Sequence, residues 1–149
     1  MELIRINQEH REKMEALEAA ILSDPDSVVE ELPTNHYFAH GTYTREMFLP
    51  EGTVLTGKIH RHSCINIISK GKILAVTDEG EYEIAAPHIF VSGPGVKKAG
   101  YALEDTIWIN VHPWVGEEDL DLIEHEVIIP SYEALEMEMK EALSCHGAQ

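Results

Sequence analysis

The sequence predicts a mainly β protein, a sandwich or barrel of short strands with a helical segment at either end. Three observations carry this reading. Between residues 36 and 113, runs rich in β-branched and aromatic residues alternate with turns marked by Gly and Pro. No helical periodicity separates those runs, which excludes a parallel sheet built from βαβ units. The flanks are instead rich in Glu, Lys, Met, Ala and Leu, all strong helix formers.

Taken in order, Gln8 to Leu22 reads as a helix with Met14, Leu17, Ala20 and Ile21 along one stripe, closed by Asp24-Pro25-Asp26. Ser27 to Glu31 reads as a short helical or irregular piece stopping at Pro33. His36–Leu49 reads as β and breaks at Pro50-Glu51-Gly52. Thr53–Thr56 and Lys58–Ser69 follow, then a Lys70-Gly71 turn. Ile73–Thr77 and Glu81–Ala86 flank Asp78-Glu79-Gly80, a hairpin signal. His88–Ser92, Lys97–Ala102 and Thr106–His112 complete the strands. Beyond Pro113, Glu117–His125 is acidic and amphipathic, and Ser131 can cap a helix running to about Leu143. The expected organisation is a helical extension over 1–35, one β domain over 36–113 and a second helical extension over 114–149.

A length of 149 residues suits one domain able to bury its own core. Eleven basic against 27 acidic side chains give a net charge of −16, a field that repels nucleic acid and anionic membranes. The acid is concentrated near the ends, so a central pocket need not repel anions. No apolar run approaches the ~20 residues of a membrane span, and the amino end lacks a signal-peptide pattern. Two cysteines, Cys64 and Cys145, do not form a disulfide framework. The expectation is a cytoplasmic, acidic protein with no nucleic-acid or membrane partner.

The chemistry concentrates on Lys58–Ile68. This run reads as one alternating strand, with Lys58, His60, His62, Cys64, Asn66 and Ile68 on one face and Ile59, Arg61, Ser63, Ile65 and Ile67 on the other. Neutral imidazoles in such a cavity suit Zn, Fe, Mn, Ni or Cu.

Residues 36–113 resemble the cupin superfamily, small β-barrels of jelly-roll type. The first cupin motif, G(x)5HxH(x)3–4E(x)6G, is similar to Pro50-Glu51-Gly52 followed by Gly57, His60, His62 and Gly71. The second, G(x)5PxG(x)2H(x)3N, is similar to Gly80 followed by Pro94-Gly95-Val96-Lys97-Lys98. The stretch from Gly93 to Thr106 also resembles small cupin-like proteins of bacteriophages. The resemblance implies a jelly roll, a divalent metal, a small-molecule ligand and a homodimer. It also implies two histidines and a glutamate from the first motif and a histidine from the second. This chain carries Asn66 and Lys98 where the glutamate and the last histidine stand.

Three readings remain open. In one, a metal (Zn, Fe, Mn or Ni) is held by His60, His62 and a replacement, with His112 the first choice. Cys64 is a second choice, too far along a regular strand, and Asn66 can add a neutral oxygen. In another, His60, His62 and Lys98 form a metal-free pocket for an anionic or sugar-like ligand. In the third, the scaffold is inert. Asn66, Lys98, Arg45 and Trp108 are the expected ligand-binding residues, with Tyr43 lining the pocket. Lys98 and Tyr101 are the expected catalytic groups if the pocket turns a substrate over. A non-catalytic module that binds a small ligand or a protein is the alternative. If the histidine face is inward, Ile59, Ile65 and Ile67 point outward and need cover from helices or a second copy.

Overall fold

Gly41, at φ +72°, folds the predicted 36–49 segment back on itself. The left-handed backbone that glycine tolerates turns a single expected strand into the hairpin β1 (Thr34–Ala39) and β2 (Thr42–Leu49). The structure is a computed structural model that describes residues 4–26 and 31–147. The expected short piece at 27–31 lies, apart from Glu31, outside the described residues.

The next strands are β3 (Val54–Thr56), β4 (Ile59–His60), β5 (Cys64–Lys70) and β6 (Lys72–Thr77). After them come β7 (Gly80–Ala85), β8 (His88–Ser92), β9 (Ala99–Ala102) and β10 (Thr106–Pro113). One sheet has the order β1-β2-β10-β5-β8, and a second has the order β3-β9-β6-β7. Gly71, at φ +85°, makes the β5–β6 turn, where an added Cβ would collide with the Asp105 carbonyl.

The predicted helices are present. α1 (Gln8–Ser23) is capped by Asn7, whose side chain accepts from the His10 backbone N–H at 3.1 Å. α2 (Leu120–Val127) starts later than expected because Asp119 caps it, accepting from the N–H groups of Asp121 and Leu122. α3 (Tyr132–Gly147) follows Ser131, whose hydroxyl accepts from the Ala134 N–H at 3.0 Å. Between them β11 (Ile128–Ile129) pairs with β4.

Two apolar clusters separate the layers. Met47, Leu49, Ile68, Ile73, Ala102 and Trp108 fill the space between the two sheets. Met14, Ile59, Ala99, Ile129, Tyr132 and Leu135 join α1 and α3 to β4, β9 and β11. Ile59 is therefore core beneath the terminal helices, one of the two covers the alternation argument allowed, whereas Ile65 on β5 is 44% exposed. The backbone bends at Arg61–Ser63, so the expected strand 58–69 is two strands, β4 and β5, with independent facing.

Candidate metal centre

Inward positions on three neighbouring strands change from apolar to polar along the sheet. Strand register stacks them in rows. Trp108 lies opposite Met47 and Ile68, Asn110 opposite Arg45 and Asn66, and His112 opposite Tyr43. The apolar row closes one end, and the polar rows open toward α2.

Asn66 anchors the middle row and is 0% exposed. Its Oδ1 accepts from Asn110 Nδ2 (2.7 Å) and Trp108 Nε1 (3.1 Å). Its Nδ2 donates to Ser92 Oγ (3.0 Å) and to the Cys64 carbonyl (3.2 Å). An amide offers two donors and two acceptor lone pairs, so all four are spent inside the protein. Asn66 and Trp108, expected to touch ligand, are thus tied to each other in a buried network. Lys98, 5% exposed, extends it by donating from Nζ to Ser92 Oγ at 3.0 Å. Burial lowers the affinity of this amine for its proton.

At the open end His60 and His112 meet edge to face, with ring centroids 5.0 Å apart. The bend at Arg61–Ser63 folds Cys64 back beside them. The ligand atoms of His60, Cys64 and His112 all lie within 4.8 Å of one another, and all three residues are buried. Burial is the main cause that pushes His60 down to about 3 and His112 down to about 4, with the charges of Lys98 and Arg45 adding to it. Both imidazoles are neutral at pH 7, the state in which they ligate metals. Burial also raises the Cys64 thiol, against an opposing pull from Lys98. His60 Nδ1 is buried without any hydrogen-bond partner. Such an orphan costs about 1–3 kcal/mol, and a bound ion would remove that cost. The donor set and the orphaned nitrogen fit a divalent metal.

A half-open cavity of about 280 Å³ leads from this group between β1, β2 and α2; His36, Tyr43, Arg45, Lys58, His60 and His112 are among its walls. Tyr43 hydrogen-bonds His36 Nδ1 at 2.6 Å, and Lys58 is paired with Glu124. Arg45 makes no ion pair among the described residues. Its sequence neighbour Glu46 faces the other way and accepts from Asn35 and Tyr37.

The sequence-predicted residues thus divide. His60, His112, Asn66, Lys98, Arg45 and Trp108 line or support one site. His62 is exposed in the bend, outside the group of three. Tyr101 is 42% exposed on β9, in the other sheet. Cys64 ranks second to His112 on regular strand spacing, which carries it about 13 Å from His60. The bend removes that distance, and Arg61-His62-Ser63 carries no Gly or Pro to announce it. Ser92, the shared partner of Lys98 and Asn66, left no signal in the sequence.

No protein-family model matches the chain, and no curated protein matches it in sequence. Solved structures do. A cupin superfamily protein from Desulfitobacterium hafniense DCB-2 superposes with a TM-score of 0.51 at 5% identity, over 60% of this chain and 84% of that one. The fold is that of the cupins. Salicylate 1,2-dioxygenase from Pseudoaminobacter salicylatoxidans, solved as adducts with gentisate, also has a TM-score of 0.51, at 13% identity. That match covers 70% of this chain and 30% of the dioxygenase, so the chain spans less than a third of that enzyme's length. On this cupin jelly roll, helices stand at both ends of the two sheets. No helix among the described residues is long and apolar enough to cross a membrane.

Proposed function

We propose that this cupin-fold protein holds a divalent metal between His60 and His112 and binds a small polar or anionic metabolite in the adjoining cavity. The observation that carries the reading is the convergence of two neutral, buried imidazoles, one with an unpartnered nitrogen, at the floor of an open cavity. A metal bound there would polarise a carbonyl or acidify a bound water. Arg45, with no carboxylate of its own, can take an anionic group of the ligand bidentately. Asn66, Trp108 and Asn110 hold the strands that position these groups, and Lys98 places a donor behind them. The salicylate dioxygenase, with its gentisate adducts, supports a small-molecule occupant through the shared fold. Both described thiols are free, which suits a reducing cytoplasm.

The test is the metal content of untagged protein purified without chelator, by plasma mass spectrometry, beside His60→Ala/His112→Ala. About one metal per chain, lost in the double variant, is the expected result. Equal, trace metal in both proteins would remove the metal reading. It would favour the alternative, a non-catalytic module whose Arg45 and Lys98 bind a small anion.

We also propose a homodimer. The outward face of β5, β8 and β10 carries Ile65, Ile67, Ile89, Val91, Ile109 and Val111, paired in rungs across the strands and without a charged side chain among them. Ile89 and Val91 are 66% and 69% exposed, and β8 is a free sheet edge. Two chains of net charge −16 repel over most of their surface, so this uncharged patch is where two copies can meet. Antiparallel pairing of β8 with its own copy would also satisfy the open edge. Light scattering should give twice 16.7 kDa for the native chain and 16.7 kDa for Ile89→Lys/Val91→Glu. A native mass of 16.7 kDa at micromolar concentration would refute the dimer.

A further inference from the structure

We propose that Cys64 is the third protein ligand of this centre, and that it makes the site selective for a thiophilic ion, Zn²⁺, over iron(II) or manganese(II). The inference rests on the metal reading above and names the donor that decides which ion is held.

The geometry places Cys64 Sγ within 4.8 Å of the ligand nitrogens of both His60 and His112. Donors on a tetrahedral zinc lie about 3.3–3.8 Å apart, given Zn–N near 2.0 Å and Zn–S near 2.3 Å. Small side-chain rotations therefore bring the three onto one ion. Sγ donates to the Ile65 carbonyl at 3.3 Å, and the Asn110 side chain and the Val111 backbone also hydrogen-bond the sulfur. Turning it onto an ion exchanges these weak sulfur hydrogen bonds for a metal bond.

A second observation points to the same place independently. His60 is buried and its Nδ1 meets no donor or acceptor. Most buried polar atoms in folded proteins are satisfied, so this nitrogen is available to a ligand entering the group.

The chemistry of the set decides the ion. Asn66 could have supplied a hard oxygen, but Trp108 and Asn110 already occupy both acceptor positions of its Oδ1. Among the described residues the clustered donors are then two imidazoles and one sulfur, while the carboxylates of Glu31, Asp121 and Glu124 stand in the cavity walls outside this group. Thiolate sulfur selects zinc or copper(I), whereas carboxylate and water oxygens suit manganese. Three protein ligands leave a fourth position open to the cavity bearing Arg45, the arrangement of zinc sites that take up water or substrate. On loading, the Cys64 thiol releases its proton to solvent and a sulfur lone pair forms the metal bond. Burial holds the Cys64 thiol up, and the charge of Lys98, whose amine donates to Ser92 Oγ, partly opposes it.

Cobalt(II) serves as the spectroscopic probe for zinc. Untagged protein carrying Cys145→Ser, to remove the exposed thiol, is stripped of metal and titrated with Co²⁺. The expected result is a near-ultraviolet thiolate-to-cobalt charge-transfer band saturating at one equivalent. One equivalent of Zn²⁺ should abolish it, and a tenfold excess of Mn²⁺ should leave it intact. In Cys64→Ser the band should vanish while visible cobalt bands of a histidine site persist, with the melting profile reporting that the fold is kept. Because the parent spectrum is itself diagnostic, a Cys64→Ser chain that fails to fold does not obscure the result. Cobalt binding without the sulfur band, or displacement by Mn²⁺, would overturn the role of Cys64 and leave the histidine metal reading standing. No cobalt binding at all would overturn both.

Discussion

Replacing Asn66 with Ala should cost about 3–5 kcal/mol of folding stability, the largest effect of any single substitution at the site. The side chain is fully buried, and its loss strands two donors, Trp108 Nε1 and Asn110 Nδ2, in a dry interior. Each stranded donor costs about 1–3 kcal/mol. Ser92 Oγ and the Cys64 carbonyl lose a donor as well. The urea midpoint should fall with little change in slope, because the surface exposed on unfolding is nearly the same. Asn66→Asp should fall between the two. Its carboxylate keeps the acceptor for Trp108 and Asn110, yet it sets an oxygen against the Cys64 carbonyl. A loss below about 1 kcal/mol in Asn66→Ala would mean that water or repacking replaces the amide, and the network would not be what joins β5, β8 and β10.

Acid should destabilise the metal-free protein strongly between pH 7 and pH 5. His60 and His112 titrate near 3 and 4 in the folded chain, against about 6.5 when unfolded. Below pH 6.5 the unfolded chain therefore binds more protons than the folded one, and stability falls as pH falls. The full contribution is present above about pH 6.5. It drains steadily as pH drops and is exhausted once the folded imidazoles protonate, near pH 3–4. At pH 5 the deficit is on the order of 2–4 kcal/mol for the two residues together. Urea melts at pH 7 and pH 5, run beside His60→Gln/His112→Gln, isolate this effect from that of the many surface carboxylates. Equal pH slopes in the two proteins would show that the imidazoles already protonate freely in the fold. With metal bound, the loss should continue below pH 3–4, where protons begin to compete with the ion for the same nitrogens.

The fold was legible because its signals are local. Gly- and Pro-marked turns, strand-length apolar runs and the cap at Ser131 are written in neighbouring residues, and the structure follows them closely. The site was legible only in part. Strand parity placed Cys64, Asn66 and Ile68 inward, and parity on β10 placed Trp108, Asn110 and His112 beside them. Parity failed where the strand stopped. Arg61 turns away to bond Glu138 and the carbonyls at the end of α2, and His62 goes out with the bend. Those partners lie more than 60 residues away, beyond anything a local pattern encodes. For the same reason Asn66 could be mistaken for a ligand donor. That all four of its hydrogen bonds are already made depends on two other strands, β8 and β10, and on the backbone of its own strand at Cys64.

The clasp between α1 and α3 bears on the order in which the chain can be built. Arg11 lies over the Tyr132 ring at 5.0 Å and reaches Glu133 and Glu136, while Met14 rests against Leu135 and Ile129 in one cluster. Arg11 and Glu133 are 122 positions apart. At a synthesis rate of about 5–20 residues per second, α1 leaves the ribosome roughly 6–24 s before the surface it packs on exists. A 16-residue helix is marginal alone in water, so its apolar stripe must wait in a fluctuating state. Strand β2 waits as well, since β10 pairs along its length much later in the chain. Growth of the polypeptide from its amino end therefore cannot lay down finished structure in sequence. The clasp closes only once α3 has been made, long after α1.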